Sequence, residues 1–165
     1  MPDSPRYHEL VNQQIDHEFF GAHQYVATGA YFDAHSMPAT AALFYNHATE
    51  ERTHAIRFLN YLIDRGLPIA FTDVAAPTHT FAGPVDALAN AVAREKDVTA
   101  QIFRMATTAR EDGDWFAQQS IAWFITEQQE EESLFNDLLT AATNCDDPLV
   151  FDAWVHRTHP TKKPH

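Results

Sequence analysis

The sequence holds a single cysteine, Cys145, among 165 residues. One thiol excludes an intramolecular disulfide, a cysteine-based zinc site and a rubredoxin-like iron site. A reducing, cytoplasmic setting is the expectation that follows. Glycine (5) and proline (9) are few and fall mostly at segment ends, not inside segments. No stretch is apolar for long enough to span a membrane. Residues 1–6 lack a basic stretch followed by an apolar run, so no signal peptide and no membrane partner are expected. Basic residues are also scarce: 11 Lys and Arg against 23 Asp and Glu give a formal charge of −12. That balance argues against nucleic acid as a partner. It suits attraction of cations, though solubility alone explains it equally well. Strand-like alternation is missing as well, which leaves helix.

The helical pattern predicts an all-α chain forming one domain over residues 1–165, with a bundle over about 5–143. Ser4-Pro5 offers an N-cap and a first-turn proline. The first helix runs to about residue 34, with the stripe Val11, Ile15, Glu18, Ala22, Tyr25, Gly29, Phe32. The second spans about 39–65 and carries Phe44, Ala48, Glu51, Ala55, Phe58 and Leu62 on one face. Gly66-Leu67-Pro68 ends it. Residues 69–82 lack helical period and read as one long crossover. The third helix follows Gly83-Pro84, with Leu88, Ala91, Glu95, Val98, Ile102 and Met105 in its stripe. The fourth begins at Trp115 and shows Phe124, Glu127, Glu131, Leu134 and Leu138. A short fifth helix is expected over about 148–157, and the tail 159–165 is expected to be disordered. Two short connections make antiparallel hairpins, and the long crossover joins them.

Each long helix thus carries a carboxylate near the middle of its apolar stripe: Glu18, Glu51, Glu95 and Glu131. Packing brings the four middles to one level. Four carboxylates in a dry core cannot all stay ionised, and two divalent cations would balance them. Glu51 and His54 lie three apart on one face. Oxygen ligands with one imidazole suit Fe(II), Mn(II) or zinc. Glu51 is the natural bridge, with Glu18, Glu51 and His54 on one metal and Glu51, Glu95 and Glu131 on the other. Gln128, one turn before Glu131, is placed to hydrogen-bond a bound water or dioxygen species. Tyr25, two turns from Glu18, is a candidate for a redox or supporting role. Glu50, Glu127 and Glu130 form a second acidic layer that, with Glu131, is a candidate third metal site. A lone stripe glutamate is usually a boundary residue with its head in water; four at matching depth are not explained that way. The remaining histidines, His47 among them, are scattered and receive no ligand role. The turn Glu111-Asp112-Gly113-Asp114 is a candidate channel lining or simply a polar turn.

On these residues the sequence resembles the bacterial non-haem ferritins, from about Tyr7 to Thr158. The resemblance rests on Asn12-Gln13-Gln14-Ile15-Asp16-His17-Glu18-Phe19, Gln24-Tyr25, Glu50-Glu51-Arg52-Thr53-His54-Ala55, Arg94-Glu95 and Glu127-Gln128-Gln129-Glu130-Glu131-Glu132. It implies a ferritin-like four-helix bundle with a fifth helix at the four-fold axes of a hollow 24-subunit shell of this chain. It implies a ferroxidase centre that oxidises Fe(II) with dioxygen or hydrogen peroxide, a third iron site, and ferric mineral stored inside. Arg52 stands where bacterioferritins place a haem-ligating methionine, so no haem is expected. Gln128 stands where those proteins have the glutamate of a second E-x-x-H. Two other readings stay open: a di-iron peroxidase or oxidase without mineral storage, and a helical binding protein that uses no metal.

Overall fold

The computed structural model describes residues 5–161, which form α1 (Pro5–Ala34), α2 (Pro38–Asp64), α3 (Pro84–Glu111), α4 (Trp115–Thr143) and α5 (Pro148–Thr158). No strand occurs among the described residues, and no helix there is long and apolar enough to cross a membrane. Ser4, expected as an N-cap, and tail residues 162–165 lie outside the described residues.

The breaks follow from local chemistry. Gly66 closes α2 at φ +63°, with Gly66 N–H on Ile63 O (3.0 Å) and Leu67 N–H on Leu62 O (2.9 Å). Gly113 does the same after α3 at φ +66°. Asp114 then caps α4 by accepting from Ala117 N–H at 3.0 Å. In the same turn Asp112 pairs with Arg6 at 2.8 Å, so two of its acids have structural partners. Met37, before α2, has no capping side chain. Asp152 of α5 supplies one from a distance, accepting from Thr40 N–H and Oγ1 (both 2.7 Å) and from Ala39 N–H (3.2 Å). That cap, with Phe151 buried in the core, docks α5 on the start of α2.

The crossover climbs α1. Ala70 N–H donates to Asn12 Oδ1 (2.7 Å), Thr72 Oγ1 to Asp16 Oδ2 (2.7 Å) and Thr78 N–H to Gln24 Oε1 (2.9 Å). Asn12 to Gln24 is about 18 Å of helix, so the chain regains the far end of the bundle before α3 begins. Hence α1 and α4 run one way, α2 and α3 the other. Tyr7 bonds Ser120 at the start of α4, and Arg6 meets Asp112 at the end of α3.

The core divides in two. One apolar cluster holds Tyr25, Phe32, Phe44, Leu88, Phe135 and Phe151. The other holds Tyr7, Ile15, Phe58, Leu62, Ile102 and Phe124, with Phe58 and Phe124 stacked at 3.9 Å. Burying each such side chain contributes about 1.5–3 kcal/mol. Between the two clusters lies a polar layer.

Candidate metal centre

Glu18 from α1 and Glu51 and His54 from α2 meet in that layer, all 6% exposed or less, with ligand atoms within 4.8 Å of one another. His54 Nδ1 lies 4.0 Å from Glu18 Oε2 and its Nε2 3.9 Å from Glu127 Oε1. Trp123 and Phe124 hold the imidazole edge-on at 5.5 and 5.8 Å. Gln14 Nε2 donates to Glu18 Oε1 at 2.8 Å.

Glu95 of α3 is locked by neighbours. The Tyr25 hydroxyl donates to Oε1 and Gln128 Nε2 to Oε2 at 2.7 Å, while the same amide reaches the Glu95 carbonyl at 3.1 Å. Tyr25 is itself stacked on Phe135 at 5.4 Å. Glu131 of α4 joins a second group with His47 and Glu50, again within 4.8 Å. His47 Nδ1 stands 2.9 Å from Glu50 Oε2 and 3.3 Å from Glu131 Oε2, an oxygen otherwise without a partner.

Charge burial dominates the electrostatics. Desolvation raises the Glu18 carboxyl and lifts Glu51 well above the usual range, against the opposing pull of Arg94. Burial, with the charge of Glu51, pushes Glu95 up to about 7. Tyr25 is raised well above its ordinary value by burial and by Glu95. Burial opposes a charged His47, but its hydrogen bonds to the accepting carboxylates of Glu131 and Glu50 prevail and raise it to about 10. Its hydrogen bond lowers Glu50 in turn. Burial raises Glu127.

The sequence-assigned residues therefore take three positions. Glu18, Glu51 and His54 form one group; Glu95, Tyr25 and Gln128 form a hydrogen-bonded unit beside it; Glu131 and Glu50 surround His47. In the acidic layer expected to form a third site, Glu131, Glu130 and Glu50 all lie near enough to Glu127 to add to the rise that burial causes there, and Glu50 and Glu130 are exposed. Glu127 is part-buried near His54, whereas Glu130 is exposed on a groove with Thr126, Gln129, Ser133 and Asp137. One helical position is about 100° of rotation, which turns Glu130 away from buried Glu131. His47 was assigned no role from the sequence, yet it lies four residues before Glu51 and seven before His54, on one helix face. That spacing was a readable signal. Arg94 carries no such signal: it lies outside the stripe of α3 and still pairs with Glu51 Oε2 at 2.9 Å. Arg52 is exposed on an open cleft of about 810 Å³ along α1 and α2, beside Phe19, His23, Val26 and Tyr45.

The model of the ferritin-like domain matches residues 8–144. This chain belongs to the ferritin family. Among its relatives, a ferritin BfrB of Mycobacterium tuberculosis is 39% identical over 137 residues, 83% of this chain and 76% of the relative. A bacterial non-heme ferritin of Staphylococcus aureus is 35% identical over 139 residues, 84% of each chain. In three dimensions, an open pore ferritin of the archaeon Archaeoglobus fulgidus superposes with a TM-score of 0.89 at 23% identity, over 93% of this chain and 98% of that one. The four-helix bundle with a short C-terminal helix is thus the ferritin fold.

Proposed function

We propose that this ferritin-family chain stores iron, oxidising Fe(II) at a di-iron centre within each subunit. The observation that carries the reading is the buried Glu18–Glu51–His54 triad between two apolar cores, with Glu95 and Glu131 adjoining. Buried carboxylates this close repel unless cations join them. A donor set of several carboxylates and one imidazole suits Fe(II).

Fe(II) is the substrate. Glu18, Glu51 and His54 hold one ion, and Glu51 bridges to a second held with Glu95 and Glu131. Glu131 turns from His47 to complete that set. Gln128 and Tyr25 keep the Glu95 carboxylate in register, and Trp123 and Phe124 do so for His54. Two Fe(II) give up one electron each; dioxygen takes both, with two protons, and leaves as hydrogen peroxide. Hydrogen peroxide as oxidant takes the same two electrons and ends as water. Ferric product moves on past Glu50 and Glu127 and hydrolyses to mineral. Self-assembly into a 24-subunit shell without haem completes the proposal, and the apolar cleft along α1 and α2 is a surface suited to subunit packing.

The test adds Fe(II) aerobically to metal-free protein, follows ferric absorbance, and measures particle mass by light scattering. The expected particle is about 24 times the 18.7 kDa chain, retaining iron as mineral. A monomer or dimer that turns over without retaining iron would instead mark an oxidase or peroxidase.

A further inference from the structure

Arg94 sits one residue before Glu95 on α3, which by helix geometry puts it about 100° off the buried stripe. Its side chain is nevertheless only 10% exposed. Nη2 donates to Glu51 Oε2 at 2.9 Å and reaches the His17 carbonyl at 3.4 Å. Nε lies 3.9 Å from Glu95 Oε1 and has no hydrogen-bond partner. The guanidinium therefore stands against two of the four carboxylates that the di-iron reading uses, Glu51 and Glu95.

Its seat depends on a missing side chain. At Gly21 of α1 a Cβ would fall 1.8 Å from Arg94 Nη2, 2.5 Å from Cζ and 2.6 Å from Glu51 Oε2. Outside the seat, between α1 and α3, a cleft of about 360 Å³ is lined by His17, Gln24, Asn90, Asp97 and Arg94 itself. The long, flexible arginine stem thus has a polar space to withdraw into, with an acid, Asp97, at its side. As a purely structural pair the arrangement is poor. A buried ion pair recovers its desolvation cost only when its donors and acceptors are satisfied, and here Nε is not.

We infer that Arg94 is an internal cation that competes with metal for Glu51 and withdraws into the α1–α3 cleft when a divalent ion binds. This rests on the carboxylate–imidazole centre being a cation site. Arg94 is then a positioning residue. It keeps the carboxylates paired before metal arrives, and it sets the concentration at which metal enters. Gly21 is part of the same device because only a residue without a side chain leaves the seat open.

The experiment is calorimetric titration of metal-free, full-length protein with Co(II), together with the visible Co(II) spectrum and thermal melts. The proteins are wild type, Arg94→Gln, Arg94→Met, Arg94→Lys and Glu51→Ala. If the seat is occupied nine-tenths of the time, freeing it tightens apparent affinity about tenfold. Arg94→Gln is expected to bind Co(II) about that much more tightly while melting earlier without metal. Arg94→Met, which removes the guanidinium and leaves Gly21 and every proposed ligand in place, is expected to tighten binding too; it decides the matter if Arg94→Gln fails to fold. Arg94→Lys is expected to return affinity towards wild type. Unchanged or weaker binding in both Arg94→Gln and Arg94→Met overturns the role of Arg94 and leaves the centre standing. A wild type that binds no Co(II), or binds it equally after Glu51→Ala, overturns the centre itself and the inference with it.

Discussion

The two sides of the polar layer balance buried acid in different ways. On one side Glu18, Glu51 and Glu95 face Arg94, a permanent cation lying in the seat left by Gly21. On the other, Glu131 and Glu50 face His47, whose charge depends on pH. The first side is almost wholly enclosed, whereas Glu50 is exposed. A fully enclosed carboxylate has no water to turn to, so loss of its cation is expensive; a half-open pair can rehydrate. The same division separates the imidazoles. His54 adjoins Glu18 and Glu51 in the interior, while His47 bridges towards the exposed layer.

The comparison predicts unequal losses. Removing a ligand should exceed the roughly 10- to 100-fold effects of removing its supports. Glu51→Ala and His54→Ala should therefore slow fast Fe(II) oxidation at least about a hundredfold, and His47→Ala nearer tenfold, by stopped-flow absorbance. Equal losses at the two histidines would dissolve the distinction. Next comes stability without metal. Arg94→Met should lose about 3 kcal/mol because Glu51 keeps no buried cation, and His47→Gln about 1–2 kcal/mol because Glu50 is already in water. Urea unfolding measures both, and a costlier His47 variant would reverse the ranking.

The pH dependence should also divide by side, in metal-free protein. Glu95 holds its proton up to about 7 when folded, against an ordinary 4.5. The folded state then binds more protons between those values, so the contribution is full below 4.5 and falls as pH rises to about 7. His47 runs from an ordinary 6.5 to about 10, so its contribution is full below 6.5 and is lost as pH climbs to about 10. Each amounts to a few kcal/mol. Melting temperature against pH should lose its acid-side slope in Glu95→Gln and its alkaline slope in His47→Gln. A variant that flattens the other limb would show that the two sides share one titration. The smallest effect lies outside the layer: Asp152→Ala removes the cap on α2 and should cost about 1 kcal/mol, with iron oxidation unchanged.

Much of this was legible in the residues. Stripe period placed Glu18, Glu51, Glu95 and Glu131 at one depth, because burial along a helix repeats every three to four positions and acids interrupt it visibly. His47 is legible by the same rule, at the helical spacing of Glu51 and His54, although the ten histidines of the chain dilute that signal. Glu130 shows where the rule stops. It adjoins Glu131 in sequence, yet rotation places it on an open groove. Asp152 could not be read as the cap of α2, since 112 positions separate it from Thr40.

By itself the sequence determined four long helices and a fifth, their breaks, and the acids that converge between them, because helix period and capping are local properties of the chain. Only the tertiary structure decided which cation meets which acid. Arg94 reaches Glu51 because α3 crosses α1 at Gly21, where the absence of a side chain leaves room for a guanidinium. Such a fit depends on the approach of two helices far apart in the chain, and no local pattern carries it.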